Sequence, residues 1–156
     1  MPRLLAIALI AGASLGAAHA GDSDTSTVAA QIVAVSHLHA GQKLVASGKL
    51  EAAEQEFTLA IVSYPDSGVL YLNRGNVRYQ LKKYADAIPD FDAYLSYQPK
   101  DLKVLFLRGI AKSLLKPEDV AGSCADFNAA KSAGLSMAGI GGLDKYCKGQ
   151  PNWPGN

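Results

Sequence analysis

Residues 50–65, LEAAEQEFTLAIVSYP, and residues 84–99, YADAIPDFDAYLSYQP, are one pattern written twice, 34 positions apart. The shift lays Leu50, Ala53, Phe57, Ala60 and Pro65 on Tyr84, Ala87, Phe91, Tyr94 and Pro99, and it lays Gly41 on Gly75 and then on Gly109. A third copy continues as Val120, Ser123, Phe127 and Ala130 at a spacing of 36, which puts two extra residues in the turn Lys116-Pro117-Glu118-Asp119. A fixed period of this length marks a stacked repeat protein, in which no single unit can bury its own apolar side.

Within each copy the apolar residues recur in steps of three and four, as in Leu50, Ala53, Phe57, Ala60 and Ile61, so each copy reads as two amphipathic helices joined by a tight turn. Ser47-Gly48-Lys49 and Leu81-Lys82-Lys83 fall at the turns within copies. Tyr64-Pro65-Asp66 and Gln98-Pro99-Lys100-Asp101 end the second helices, because proline cannot continue them. Gly41, Gly75 and Gly109, with Ala53 and Ala87 opposite, allow the two helices to approach closely. Phe57, Phe91 and Phe127 are expected to fill the space between one hairpin and the next. Pro89, inside the second helix of copy two, is expected to delay that helix or bend it.

Period, glycine, alanine, phenylalanine and closing proline together resemble the tetratricopeptide repeat family over about residues 34–134. His37 departs from the pattern, standing where the family often has a bulky aromatic; the later copies have Tyr71 and Leu105 there. The resemblance implies an all-α fold, a short right-handed solenoid of about three hairpins whose first helices line a concave face. The copies are about 34–67, 68–101 and 102–134, and residues 135–147 are expected to cap the last hairpin. In that cap Met137, Ile140, Leu143 and Tyr146 recur every three residues, while Gly139, Gly141 and Gly142 confine the firm helix to residues 142–147. Residues 21–33 read as a flexible lead-in and the start of the first helix, and residues 148–156 as a flexible tail.

Outward from the repeats, residues 1–20 carry one positive charge, an apolar run and Ala18-His19-Ala20, the layout of a secretory signal peptide cut before Gly21. The run is shorter than the roughly 20 apolar residues a membrane anchor needs. The expectation is an exported protein, periplasmic in a Gram-negative cell and otherwise secreted. Losing Arg3 with the leader leaves 14 basic against 14 acidic residues, which supplies no cationic surplus for nucleic acid or an anionic membrane. In an oxidising compartment Cys124 and Cys147, the only two cysteines, suggest a disulfide tying the cap to the last hairpin. Two free buried thiols or a redox pair are the alternatives, although redox pairs usually sit closer in sequence. The segments Ser123-Cys124-Ala125-Asp126-Phe127 and Lys145-Tyr146-Cys147 resemble those of a group of bacterial tetratricopeptide proteins.

Little here points to catalysis. His37 and His39, two apart on a helix, point away from each other and cannot share a metal ion. No nucleophile motif accompanies them, and Gly139-Ile140-Gly141-Gly142 lacks the GK[ST] ending of a phosphate loop, so no enzyme, cofactor or metal is expected. Arg74 with Arg78, and Arg108 with Lys112, form i,i+4 pairs related by the repeat. They make either a cationic stripe for an acidic peptide or, as expected, ion pairs with Glu56, Asp90 and Asp126 of the second helices; Arg74 has two candidate partners, Glu56 and Asp90.

The implied function is a protein-protein interaction module, an adaptor or scaffold in a cell-envelope assembly, holding a peptide or protein segment in the concave groove. The alternative is a self-associating structural protein without a groove ligand, a possible homo-oligomer. Register assigns to the groove Gln42 and Val45, then Leu72, Asn73, Asn76 and Tyr79, then Lys103, Phe106 and Ile110. In the family's chaperone-tail binders a clamp of Lys, Arg and Asn holds a C-terminal carboxylate. Asn73 and Lys103 fit it, but Leu38, Gln42 and Leu107 occupy its other positions, so that ligand is not expected.

Overall fold

A computed structural model describes residues 22–136, 142–150 and 153. The expected leader, residues 1–20, and Met137, Gly139, Ile140 and Gly141 of the expected cap lie outside the described residues. The described residues form helices and no strand: α1 (Asp22–Ala46) with α2 (Leu50–Ser63), α3 (Gly68–Gln80) with α4 (Tyr84–Tyr97), α5 (Leu102–Leu115) with α6 (Val120–Ser132), and the short α7 (Leu143–Tyr146). The fold is an all-α solenoid of three hairpins.

Each hairpin is seated by the same contact. A Cβ built on Gly41 would lie 2.5 Å from the Phe57 ring, one on Gly75 3.0 Å from Phe91, and one on Gly109 2.6 Å from Phe127, so a side chain at any of the three would displace the ring. The phenylalanines therefore pack first on the glycine of their own hairpin, as well as on the next. Phe57 shares its core with Val77 of α3, and Phe91 shares its core with Val104 and Ala111 of α5. Ala53 and Ala87 are fully buried beside them. The turns in the first two hairpins close alike: the Lys49 amide donates to the Leu44 carbonyl and the Lys83 amide to the Arg78 carbonyl. This wrap requires a left-handed residue, supplied by Gly48 (φ 72°) in one copy and by Lys82 (φ 61°) in the next.

Three features refine the sequence reading. Pro89 does not delay its helix, since α4 starts at Tyr84 and carries Pro89 inside it. Lacking an N–H, Pro89 leaves the Ala85 carbonyl without its usual intrahelical donor, close to the exposed start of the helix. Within residues 21–33, α1 runs back to Asp22; extending a helix already packed on α2 costs far less than nucleating one. In the tail, Trp153 is buried against Cys124, Phe127 and Cys147, with the Lys131 ammonium 5.3 Å from its ring centroid. The end of the third hairpin offers apolar surface that no fourth repeat covers, and the indole fills it.

Candidate functional site

The arginines of the repeats, Arg74, Arg78 and Arg108, are turned inward on the array's own acids. Asp90, almost fully buried, accepts from Arg74 Nη2 at 2.7 Å and from Arg78 Nη1 at 2.9 Å. Arg78 Nε also reaches Glu54 at 2.8 Å, and Lys83 Nζ meets the other Glu54 oxygen at 2.7 Å. One repeat later Asp126 takes Arg108 Nε at 2.9 Å and Lys112 Nζ at 2.8 Å, while Arg108 Nη1 reaches Asp92 at 2.6 Å. Arg74 thus pairs with Asp90, and Glu56 instead takes His37 Nδ1 at 2.7 Å. A buried aspartate is tolerable because two cations replace its water; neither pair of cations is a free stripe for an acidic peptide.

The proton equilibria follow the same geometry. Burial acts to raise the Glu54 pKa, but the hydrogen bonds and charges of Lys83 and Arg78 outweigh it and hold the carboxyl below its ordinary value. Burial likewise acts to weaken the Arg78 and Arg108 guanidiniums, and their acids more than compensate, Glu54 and Asp90 for the first and Asp126 and Asp92 for the second. Tyr94 is pushed up by burial and by donating to Asp101 Oδ2 at 2.9 Å. Asp101 also caps α5 by accepting from the amides of Lys103 and Val104.

The residues assigned to the groove lie on α1, α3 and α5 and divide into two sorts. Leu72, Tyr79 and Phe106 are half-buried parts of the core: Tyr79 stands edge-on to Tyr84 at 5.5 Å, and Phe106 lies 5.4 Å from Phe127. Burial raises the Tyr79 phenol pKa. Gln42 and Lys103 are exposed, and Asn73 turns its amide back to the Val69 carbonyl at 2.7 Å. Asn76 is half-exposed and makes no side-chain hydrogen bond among the described residues. Val45 packs on the first hairpin's core. Of the clamp positions that depart from the family pattern, Leu38 and Leu107 pack on core clusters.

Ile110 joins Phe106, Phe127, Leu143 and Tyr146 around an open recess of about 420 Å³ at the last hairpin. Leu143 and Tyr146 were placed in the cap by their spacing, but that spacing did not show that they would complete a recess with α5. The Tyr146 hydroxyl is buried there without a hydrogen-bond partner among the described residues. Cys124 and Cys147 meet behind it, their Cα atoms 5.6 Å apart and their sulfurs at bonding distance, and both side chains are buried. Among the described residues no group of acids, histidines and cysteines is arranged to hold a metal ion, and no helix is long and apolar enough to cross a membrane.

Three stacked hairpins with a short closing helix define a helical-repeat protein, a class that presents the row of its first helices as one extended face. The model of the tetratricopeptide repeat matches residues 38–101 and, overlapping, 72–133, more than half of the chain; the chain belongs to the tetratricopeptide repeat family. Domains of this family are protein-protein interaction modules. Among solved structures, it is similar to the first tetratricopeptide domain of Spaghetti (RPAP3) bound to the HSP90 peptide SRMEEVD. The two are 22% identical with a TM-score of 0.65, over 74% of this chain and 91% of that one. It is also similar to the first such domain of human RPAP3, at 23% identity and a TM-score of 0.60, over 73% of this chain and 89% of that one. At these identities the likeness is one of fold. No curated protein sequence matches the chain.

Proposed function

We propose that this protein is an exported adaptor or scaffold that holds a peptide or protein segment across the α1–α3–α5 face within a cell-envelope assembly. One observation carries the reading. Gln42, Asn76 and Ile110 stand 34 residues apart at one register of the three first helices, at least partly open to solvent, and among the described residues no hydrogen bond occupies the Asn76 amide. A row of this kind suits an extended backbone lying over the amides, with an apolar side chain toward the Ile110 recess. Its chemistry differs from a carboxylate clamp, because Leu38, Gln42 and Leu107 bring no cation. Export is supported by the sequence of residues 1–20 and by the meeting of Cys124 with Cys147, a bond that persists in an oxidising compartment.

The test is affinity capture from envelope extract with the wild type, with Asn76→Glu, and with Gln55→Glu on exposed α2 surface. Asn76→Glu is expected to lose the captured partner by about tenfold or more while Gln55→Glu retains it. An identical catch from all three proteins would refute the groove.

A further inference from the structure

The recess beside Ile110 has a fixed half and a movable half. Phe106, Ile110 and Ser113 of α5 and Phe127 of α6 belong to the third hairpin, where Phe127 is seated on Gly109 and Phe106 lies 5.4 Å from Phe127. Leu143 and Tyr146 come from α7, a helix of four residues, and a single turn of helix does not hold in water by itself. Each of α1 to α6 packs lengthwise on a neighbouring helix, whereas among the described residues α7 packs lengthwise on none. The seat of α7 also carries a penalty. The Tyr146 hydroxyl is buried with no hydrogen-bond partner among the described residues, which favours any movement that returns it to water. Against this, Cys147 at the end of α7 is bonded to Cys124 of α6, and that bond keeps Leu143 and Tyr146 opposite Ile110.

We propose that the Cys124–Cys147 bond controls the partner site. Oxidised, it holds α7 as one wall of the recess and the groove grips its segment; reduced, it frees α7 and the groove loses that anchor. The inference rests on the groove reading above and names its regulation. A dithiol supplies the reduction. One of its thiolates attacks a sulfur of the bond, forming a mixed disulfide and expelling the other cysteine as a thiolate, which takes up a proton. The second thiol then displaces the first cysteine, so two electrons and two protons pass to Cys124 and Cys147 and the dithiol becomes a cyclic disulfide. Both cysteines are buried, so the attack waits for α7 to open, and a segment seated in the recess keeps it closed. Binding and bond are therefore linked: the factor that the bond adds to affinity is the factor that the bound segment adds to the bond's resistance to reduction. A chain not yet oxidised has no complete recess, so the site is finished only in a compartment that forms disulfides.

Hydrogen exchange on the purified protein, oxidised and then reduced with dithiothreitol, reads the wall itself. Reduction is expected to speed exchange at least about tenfold at the Tyr146 and Cys147 amides, which donate to the Gly142 and Leu143 carbonyls, and to leave α2 and α4 unchanged. Affinity capture from envelope extract reads the site. Protein reduced and alkylated beforehand is expected to hold at least about tenfold less of the catch than the oxidised protein, and the double variant Cys124→Ala, Cys147→Ala to match it. Protein reduced and then reoxidised should recover the full catch. In Ile110→Glu, which spoils the fixed half of the recess, the oxidation state should no longer matter, whereas a general loosening of the fold would still register there. Unchanged α7 exchange, or equal acceleration from α1 to α6, would overturn the proposal. So would a catch lost with Asn76→Glu yet kept on reduction, which leaves the groove standing. A catch lost on reduction yet kept with Asn76→Glu would overturn the groove and leave the recess under control of the bond.

Discussion

At the C-terminal end of the array Cys124, Phe127, Cys147 and Trp153 are buried together, whereas near the N-terminal end Val28, Ile32 and Val35 face solvent. Both ends meet the same problem, a hairpin with a neighbour on one side only, and they resolve it differently. After the third hairpin the chain adds α7, an indole and Cys147, which meets Cys124 of α6. Among the described residues, the first hairpin has a longer first helix, 25 residues against 14 in α2. One end is closed by a buried sulfur pair and an indole, and the other keeps Val28, Ile32 and Val35 exposed.

Large-to-small substitutions should separate the ends most sharply. Phe127→Ala removes a ring that touches Gly109, Phe106 and the cap core, and is expected to cost about 4 kcal/mol in urea unfolding. Ile32→Ala is expected to stay within about 0.5 kcal/mol. Next in size is the sulfur pair. Replacing both Cys124 and Cys147 by serine is expected to cost about 3 kcal/mol, with hydrogen exchange accelerated in α7 and unchanged in α1 and α2. Equal acceleration at both ends would mean that the bond stabilises the array as a whole.

A smaller effect than the loss of the sulfur pair is expected between the ends, at Glu54. Its folded pKa is lowered, so the stability it contributes is full above the ordinary glutamate range and is lost as pH falls through the lowered value. Glu54→Gln should therefore lower stability near neutrality and flatten the acid limb of the stability curve. Solvent screening keeps the change to about 1 kcal/mol or less. An acid limb identical to that of the wild type would refute the contribution of Glu54.

The hairpins were legible because their contacts demand particular residues: the ring packed on glycine leaves no room for a Cβ at Gly41 and Gly109 and little at Gly75, and the helical period then locates the phenylalanines. Pairing was legible only as register. Both Glu56 and Asp90 were available to Arg74, and the choice was made by how the hairpins stack, which brought Asp90 to Arg74 and His37 to Glu56. The helical lead-in was hidden because threonine and serine read as loop, and helix propagation overrides that preference. Trp153 was hidden among prolines and glycines, since the surface that receives it exists only once the third hairpin is built. On the first-helix row, register located the residues but could not separate Tyr79 and Phe106, which support the core, from Asn76, which is open.

The contact that seats each hairpin lies within that hairpin, Gly41 with Phe57 and Gly75 with Phe91, and both repeat at one unbroken step of 34 residues. Length is therefore a separable property of this molecule. A chain carrying residues 68–101 twice in tandem would present four first helices in place of three, with the closed end and the exposed Val28, Ile32 and Val35 each unchanged.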